Sequence, residues 1–194
     1  MKRREFLSTS LHGSLAASIS MLVPAGLLAS ELPADITELS ASKLSAAIRD
    51  RQVSCIEVMQ AYLQRIERYN PVYNAIVNLA EQDGLLDQAR RADVALDKGE
   101  YWGWMHGMPH AVKDLANVEG MITTSGSRLY ANRIATADSS LVASVRGQGA
   151  IFIGKTNTPE FGLGSQTYNE VFGATGSAWN PALTAGGSSG GAAC

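Results

Sequence analysis

The chain has 194 residues, 45% hydrophobic, 18% charged and 7% aromatic, with 16 Lys and Arg against 18 Asp and Glu and a formal net charge of -2. This composition excludes a disordered or fibrous chain and supplies apolar material for one sizeable core. The basic residues are scattered, which excludes the charge footprint of a nucleic-acid binder, and Cys55 and Cys194 can neither build a disulfide framework nor match a metal-ligand spacing.

Residues 1–30 read as an address. Lys2, Arg3 and Arg4 precede an apolar run through Leu15, Ala16, Ala17, Ile19, Met21, Leu22 and Val23, and small residues follow from Ala25 to Ser30. That is the layout of a signal peptide, and the apolar run is too short and too rich in Ser and Gly for a transmembrane span. Arg3-Arg4-Glu5-Phe6-Leu7 resembles the twin-arginine export signal. The resemblance implies the export machinery as a partner and a periplasmic or secreted destination. An uncleaved interfacial anchor is the alternative, and Ala25 and Ala29 are equivalent cleavage points. Residues 31–194 read as part of a single domain.

From Ile36 to Ile48 the apolar residues Ile36, Leu39, Leu44, Ala47 and Ile48 recur on one side of a 3.6-residue repeat, predicting a short amphipathic helix. Ser54 and Glu57 form a capping-box pattern ahead of Ile56, Val58, Met59, Tyr62, Leu63 and Ile66, so a second helix starts there; Asn70-Pro71 is expected to stop it. Ala75 to Leu79 reads as a buried strand. Glu81 to Lys98 reads as a third helix, with Leu85, Leu86, Ala89, Ala92 and Leu96 inward, Arg90, Arg91 and Asp93 solvated, and Gly99 closing it. An aromatic, glycine-rich turn covers Tyr101 to Pro109. A strand over His110 to Leu115, a helix over Ser139 to Gln148 and a strand over Ala150 to Ile153 follow. Strands alternating with helices predict an α/β domain with a largely parallel or mixed sheet.

Several residue patterns carry chemistry. His106 and His110 have the spacing of a helical metal pair, but Gly107 and Pro109 between them preclude that helix, so no metal is expected. Ser40-Ala41-Ser42-Lys43 matches the short Ser-x-x-Lys pattern of penicillin-recognising enzymes, without the companion Ser-Asp-Asn element. Gly186-Gly187-Ser188-Ser189-Gly190-Gly191 reads either as a flexible linker or as a loop that brings hydroxyls and N–H groups around a small polar group. It is not a phosphate-binding Walker loop, because Ala192 stands where that loop needs a lysine. Lys113 lies in the apolar strand Ala111-Val112-Lys113-Asp114-Leu115. A buried ammonium without partners tends to lose its proton, and a neutral amine can act as a base toward a serine hydroxyl. The alternative is a lysine snorkelling to water beside Asp114.

Four stretches together resemble the amidase signature family: His106 to Asp114, Thr123-Thr124-Ser125-Gly126-Ser127, Gly154-Lys155-Thr156-Asn157-Thr158-Pro159-Glu160-Phe161, and Gly186 to Gly191. They occur in the family's order and at compatible spacings. The resemblance implies an α/β/α sandwich around a mixed, largely parallel sheet, and a Ser–Ser–Lys catalytic set. Lys113 matches the lysine, Ser188 matches the bridging serine that usually follows a cis peptide bond, Ser189 supports the loop, and Gly162 matches where a backbone carbonyl faces the substrate. His110, Trp104 and Ala185 depart from the family pattern and bear on local pocket shape. No organic cofactor is implied.

The family's acyl-accepting serine and its oxyanion hole lie a couple of dozen residues past the Gly–Ser loop, whereas this sequence stops at Cys194. The expectation is therefore an N-terminal fragment with a fold incomplete at the C-terminus, inactive alone and poorly stable. Its parent is expected to be an amidohydrolase that cleaves small-molecule or peptide amides through an acyl-serine intermediate. A non-catalytic or vestigial binding protein of the same fold is the alternative, and the glutamine-hydrolysing component of a tRNA-dependent amidotransferase is disfavoured by the export signal.

Overall fold

The computed structural model describes Pro33–Cys194; the proposed leader, its paired arginines and its cleavage points lie outside the described residues.

The single helix expected over 36–48 is two elements. A 3-10 turn at Ile36–Glu38 is capped by the Asp35 side chain, and helix α1, Ala41–Arg49, is capped by the Ser40 hydroxyl accepting from Lys43 N. Each cap oxygen satisfies N–H groups that a helix start leaves orphaned, which divides the segment where the apolar repeat runs straight through. Helix α2, Cys55–Tyr73, begins with the full Ser54/Glu57 capping box. It does not stop at Asn70-Pro71. Pro71 lies within the last turns, where its fixed φ is compatible with the helix, and the chain leaves at Asn74 in the left-handed conformation, φ 51°. Asn70 then accepts from Ala75 N and Ile76 N at 2.9 and 2.8 Å, shaping the turn into strand β1, Ile76–Leu79. This strand is half-buried rather than buried, with Leu79 exposed, because it lies at a sheet edge.

Helix α3, Gln82–Asp97, buries Leu85, Ala89, Ala92 and Leu96 as its periodicity predicts. Asp93, expected in solvent, instead accepts from Cys55 N and Ile56 N at 2.6 and 3.1 Å and so caps α2 from the neighbouring helix. Cys55 itself is fully buried, and desolvation pushes its thiol well above the ordinary range.

Strand β2 is Pro109–Lys113, helix α4 is Ser140–Arg146 and strand β3 is Ile151–Thr156. The sheet order is β1-β3-β2, with β3 antiparallel to β1 and parallel to β2, so the sheet is mixed. All six residues of β3 are buried. On one face Val112 and Phe152 pack with Val118 and with Val142 of α4. Their strand neighbours Ala111 and Ile153 point the other way, toward Tyr62, Ile66 and Tyr69 of α2. Helices on both faces make the α/β/α arrangement. Two short pieces complete it: an antiparallel pair, β4 at Tyr168–Asn169 and β5 at Gly173–Ala174, and helix α5 at Gly190–Ala193.

Candidate active site

The site is built where β2 ends and the Gly–Ser loop crosses it. The loop is not a free linker. Gly190 and Gly191 are buried, and a Cβ added at Gly187 meets the Ser165 and Gln166 backbone at 2.7–2.9 Å. One added at Gly191 meets Ala75 O at 2.7 Å. Backbone lies where those side chains would be, so the run needs glycine at these positions for close approach. The peptide bond between Gly187 and Ser188 is cis.

Lys113 is the last residue of β2, and its side chain passes the end of the strand to reach the loop. Its Nζ lies 2.7 Å from Ser188 Oγ and 3.0 Å from Ser189 Oγ. Partial burial holds the amine below the ordinary lysine value of 10.5. Among the described residues it does not make the pair with Asp114 that a snorkelling lysine would make. Asp114 is fully buried and accepts from Thr124 N at 3.1 Å and from the Thr124 hydroxyl. The structure therefore brings Lys113, Ser188 and Ser189 together as an amine facing two hydroxyls. With the amine neutral, it can take a proton from either.

Gly162 is less directly placed. It adopts φ 73°, and a Cβ there meets Leu115 Cδ1 at 2.7 Å, two residues beyond Lys113. Its segment is fixed through Ser125: Ser125 N donates to Asp114 O at 3.0 Å, and Phe161 N donates to Ser125 O at 2.7 Å. Among the described residues no hydrogen bond joins Gly162 to Lys113, Ser188 or Ser189.

Lys155 is the residue that the sequence reasoning missed. It is fully buried in β3, donates from Nζ to Ala116 O, and lies 4.0 Å from Asp114 Oδ1. The signal was present, since Ile151-Phe152-Ile153-Gly154-Lys155 places a lysine in an apolar strand just as the run around Lys113 does. Burial opposes both charges of the pair. It pushes the Asp114 carboxyl up and the Lys155 ammonium down to about 8, while their mutual attraction pulls each back toward its charged form. The pair clamps the turn behind the amine: Leu115 N and Ala116 N donate to Lys113 O at 2.7 and 2.9 Å, and Lys155 holds the carbonyl of that same Ala116.

The other sequence candidates have structural partners. Ser40 is the cap of α1. His106 is buried, accepts from Trp102 N at 3.0 Å and lies 2.9 Å from Ala92 O, while His110 meets Phe152 edge-on.

Comparison with known proteins matches residues 57–194 to the family described as Amidase. A glutamyl-tRNA(Gln) amidotransferase subunit from Acidothermus cellulolyticus is 40% identical over 159 residues, 82% of this chain and 31% of that protein. An acylamidase of Rhodococcus erythropolis is 39% identical over 151 residues, 78% of this chain and 31% of that protein. Among solved structures, a bacterial aryl acylamidase of the amidase signature enzymes superposes with a TM-score of 0.75 at 32% identity, over 79% of this chain and 32% of the other. The chain thus spans about a third of the length of these relatives.

Proposed function

The chain belongs to the amidase family, and from that premise we propose that it carries the base and the bridging serine of an amidohydrolase with a Ser–Ser–Lys relay. The supporting observation is the 2.7 Å separation of Lys113 Nζ and Ser188 Oγ, with the amine held below its ordinary value by burial. In the whole protein a further serine, contributed from outside the segment described, attacks the amide carbonyl carbon. Its proton passes to Ser188 Oγ as the Ser188 proton passes to neutral Lys113. The same path runs in reverse to protonate the leaving nitrogen as the C–N bond breaks, and water then hydrolyses the acyl-serine. Ser189, the second hydroxyl on the amine, supports the loop, and Gly162 is assigned the backbone carbonyl that faces the substrate.

The test is amide hydrolysis by the whole protein against a panel of acyl and aryl amides. Lys113→Ala is expected to abolish turnover with the fold intact. Because the base works neutral, kcat/KM is expected to rise with pH along a limb that lies below the ordinary lysine value of 10.5. Near-normal turnover in Lys113→Ala overturns the mechanism.

A second reading is supported by the 40% identity to the glutamyl-tRNA(Gln) amidotransferase component, which matches the 39% to the acylamidase. The leader proposed for residues 1–30 weighs toward the exported, stand-alone amidase, since an amidotransferase of that kind works beside cytoplasmic tRNA. Cell fractionation separates the two: recovery with periplasmic or secreted proteins favours the first, and cytoplasmic recovery the second.

A further inference from the structure

Ser189 occupies the N-cap position of α5, where a serine hydroxyl ordinarily accepts from an N–H of the first helical turn. Here it does not. Ser189 makes no side-chain cap hydrogen bond, and its Oγ lies 3.0 Å from Lys113 Nζ. The first amide of the helix is held from elsewhere: Gly190 N donates to Thr167 Oγ1 at 2.9 Å, in a contact where both residues are buried.

Thr167 is held independently of the loop it serves. Its carbonyl accepts from Thr175 N at 3.0 Å, and it leads directly into β4, which pairs with β5. Asn169 Nδ2 donates to Asn157 Oδ1 and Thr158 O, both at 2.7 Å, tying this pair to the end of β3. Asn157 Nδ2 donates to Thr175 Oγ1 at 3.0 Å, and Thr175 Oγ1 donates to Asn74 O at 2.7 Å, tying it to the end of α2. The other end of the Gly–Ser run rests on the same pair, since Ala185 N donates to Thr175 O at 2.9 Å. The fit at Gly190 is close as well: a Cβ there meets Thr167 Oγ1 at 2.6 Å.

The geometry points to Thr167 as a positioning residue for the serine pair: its hydroxyl anchors the Gly190 N–H directly after Ser189, which fixes the end of the loop so that the Ser188 and Ser189 hydroxyls stay on Lys113. This rests on the relay proposed above, and it adds the residue that keeps the relay in register. Thr167→Val keeps the side-chain shape but removes the acceptor. The Gly190 N–H then loses its acceptor, and the loop end that carries Ser188 and Ser189 is released from its anchor over the amine.

The test uses the whole protein with valine, serine and alanine at position 167, measuring amide turnover and, separately, acetylation of Lys113 by trace acetic anhydride across neutral to alkaline pH, read by mass spectrometry. In Thr167→Val, kcat is expected to fall between about tenfold and a hundredfold, as for a displacement of about 1 Å, with KM within about twofold. With the loop end released, water reaches the amine, so the Lys113 labelling midpoint is expected to move up toward the ordinary lysine range, and Thr167→Ser to restore both readouts. Wild-type turnover together with a wild-type labelling profile in Thr167→Val overturns the assignment while leaving the relay standing. Absence of amide turnover in the wild type overturns the relay instead, and the labelling profiles still decide Thr167. If the valine variant does not fold, the serine and alanine variants make the same comparison, and equal behaviour in those two overturns the assignment.

Discussion

Lys155→Met tests whether the Asp114–Lys155 pair is what holds the turn behind Lys113. Methionine matches the length of the apolar stem but removes the ammonium, leaving the fully buried Asp114 carboxylate without its cation and Ala116 O without its donor. Removing one member of a buried pair typically costs about 3–5 kcal/mol. Asp114 keeps its bonds from Thr124 N and Oγ1, which favours the lower end, about 3 kcal/mol at neutral pH. The loss has a definite pH dependence. Burial already raises the Asp114 carboxyl above 3.8, and the Lys155 charge opposes that rise. Without the charge, the folded variant holds the Asp114 proton more tightly than the unfolded chain does. Stability from such a raised group is fully present below the unfolded value and is lost as pH climbs through the folded one. The deficit relative to wild type is therefore largest at neutral pH and shrinks in mild acid. Urea denaturation of both proteins at the two pH values measures it. A loss under about 1 kcal/mol at neutral pH, or a deficit that grows in acid, refutes the reasoning.

Three further substitutions probe the frame. Asp93→Ala removes the acceptor of Cys55 N and Ile56 N and is expected to cost about 1–2 kcal/mol in urea denaturation, the usual value of a lost helix cap, although Asp93 lies on a different helix from the one it caps. Gly191→Ala forces a Cβ onto Ala75 O and is expected to cost about 1–3 kcal/mol in the same assay, whereas Gly84→Ala, with nothing within 4 Å of the added Cβ, is expected to cost nothing.

What could be read from the sequence follows the range of the interactions. Helices α2 and α3 are legible because their signals are local: a cap, a repeat and a closing residue within one stretch. The same locality misplaces the end of α2, since Asn70-Pro71 looks like a stop until the turn that Asn70 makes with Ala75 and Ile76 is known. Strands β4 and β5 have no legible period in two residues each. They exist because Asn157, Asn169 and Thr175 form a buried network across positions far apart in the chain. Asp93 fails in the same way: a carboxylate on a helix reads as solvated unless the orphaned N–H groups of a neighbouring helix are known to face it.

The two strand lysines show where residue type runs out and position in the sheet takes over. Lys113 and Lys155 occupy similar apolar runs on adjacent parallel strands, and by residue type alone either would offer a desolvated amine as a base. Lys155 lies within β3, covered on all sides, so its ammonium takes Asp114 and a backbone carbonyl from inside the protein. Lys113 ends β2, so its amine clears the strand and meets hydroxyls. The arrangement has a chemical consequence for the proposed base. A carboxylate paired with Lys113 would stabilise its ammonium and hold the proton that the relay must receive. Asp114 is the acidic residue next to it in sequence, and the bonds from Thr124 together with the charge of Lys155 turn that carboxylate to the interior, so the amine keeps hydroxyl partners and a lowered affinity for its proton.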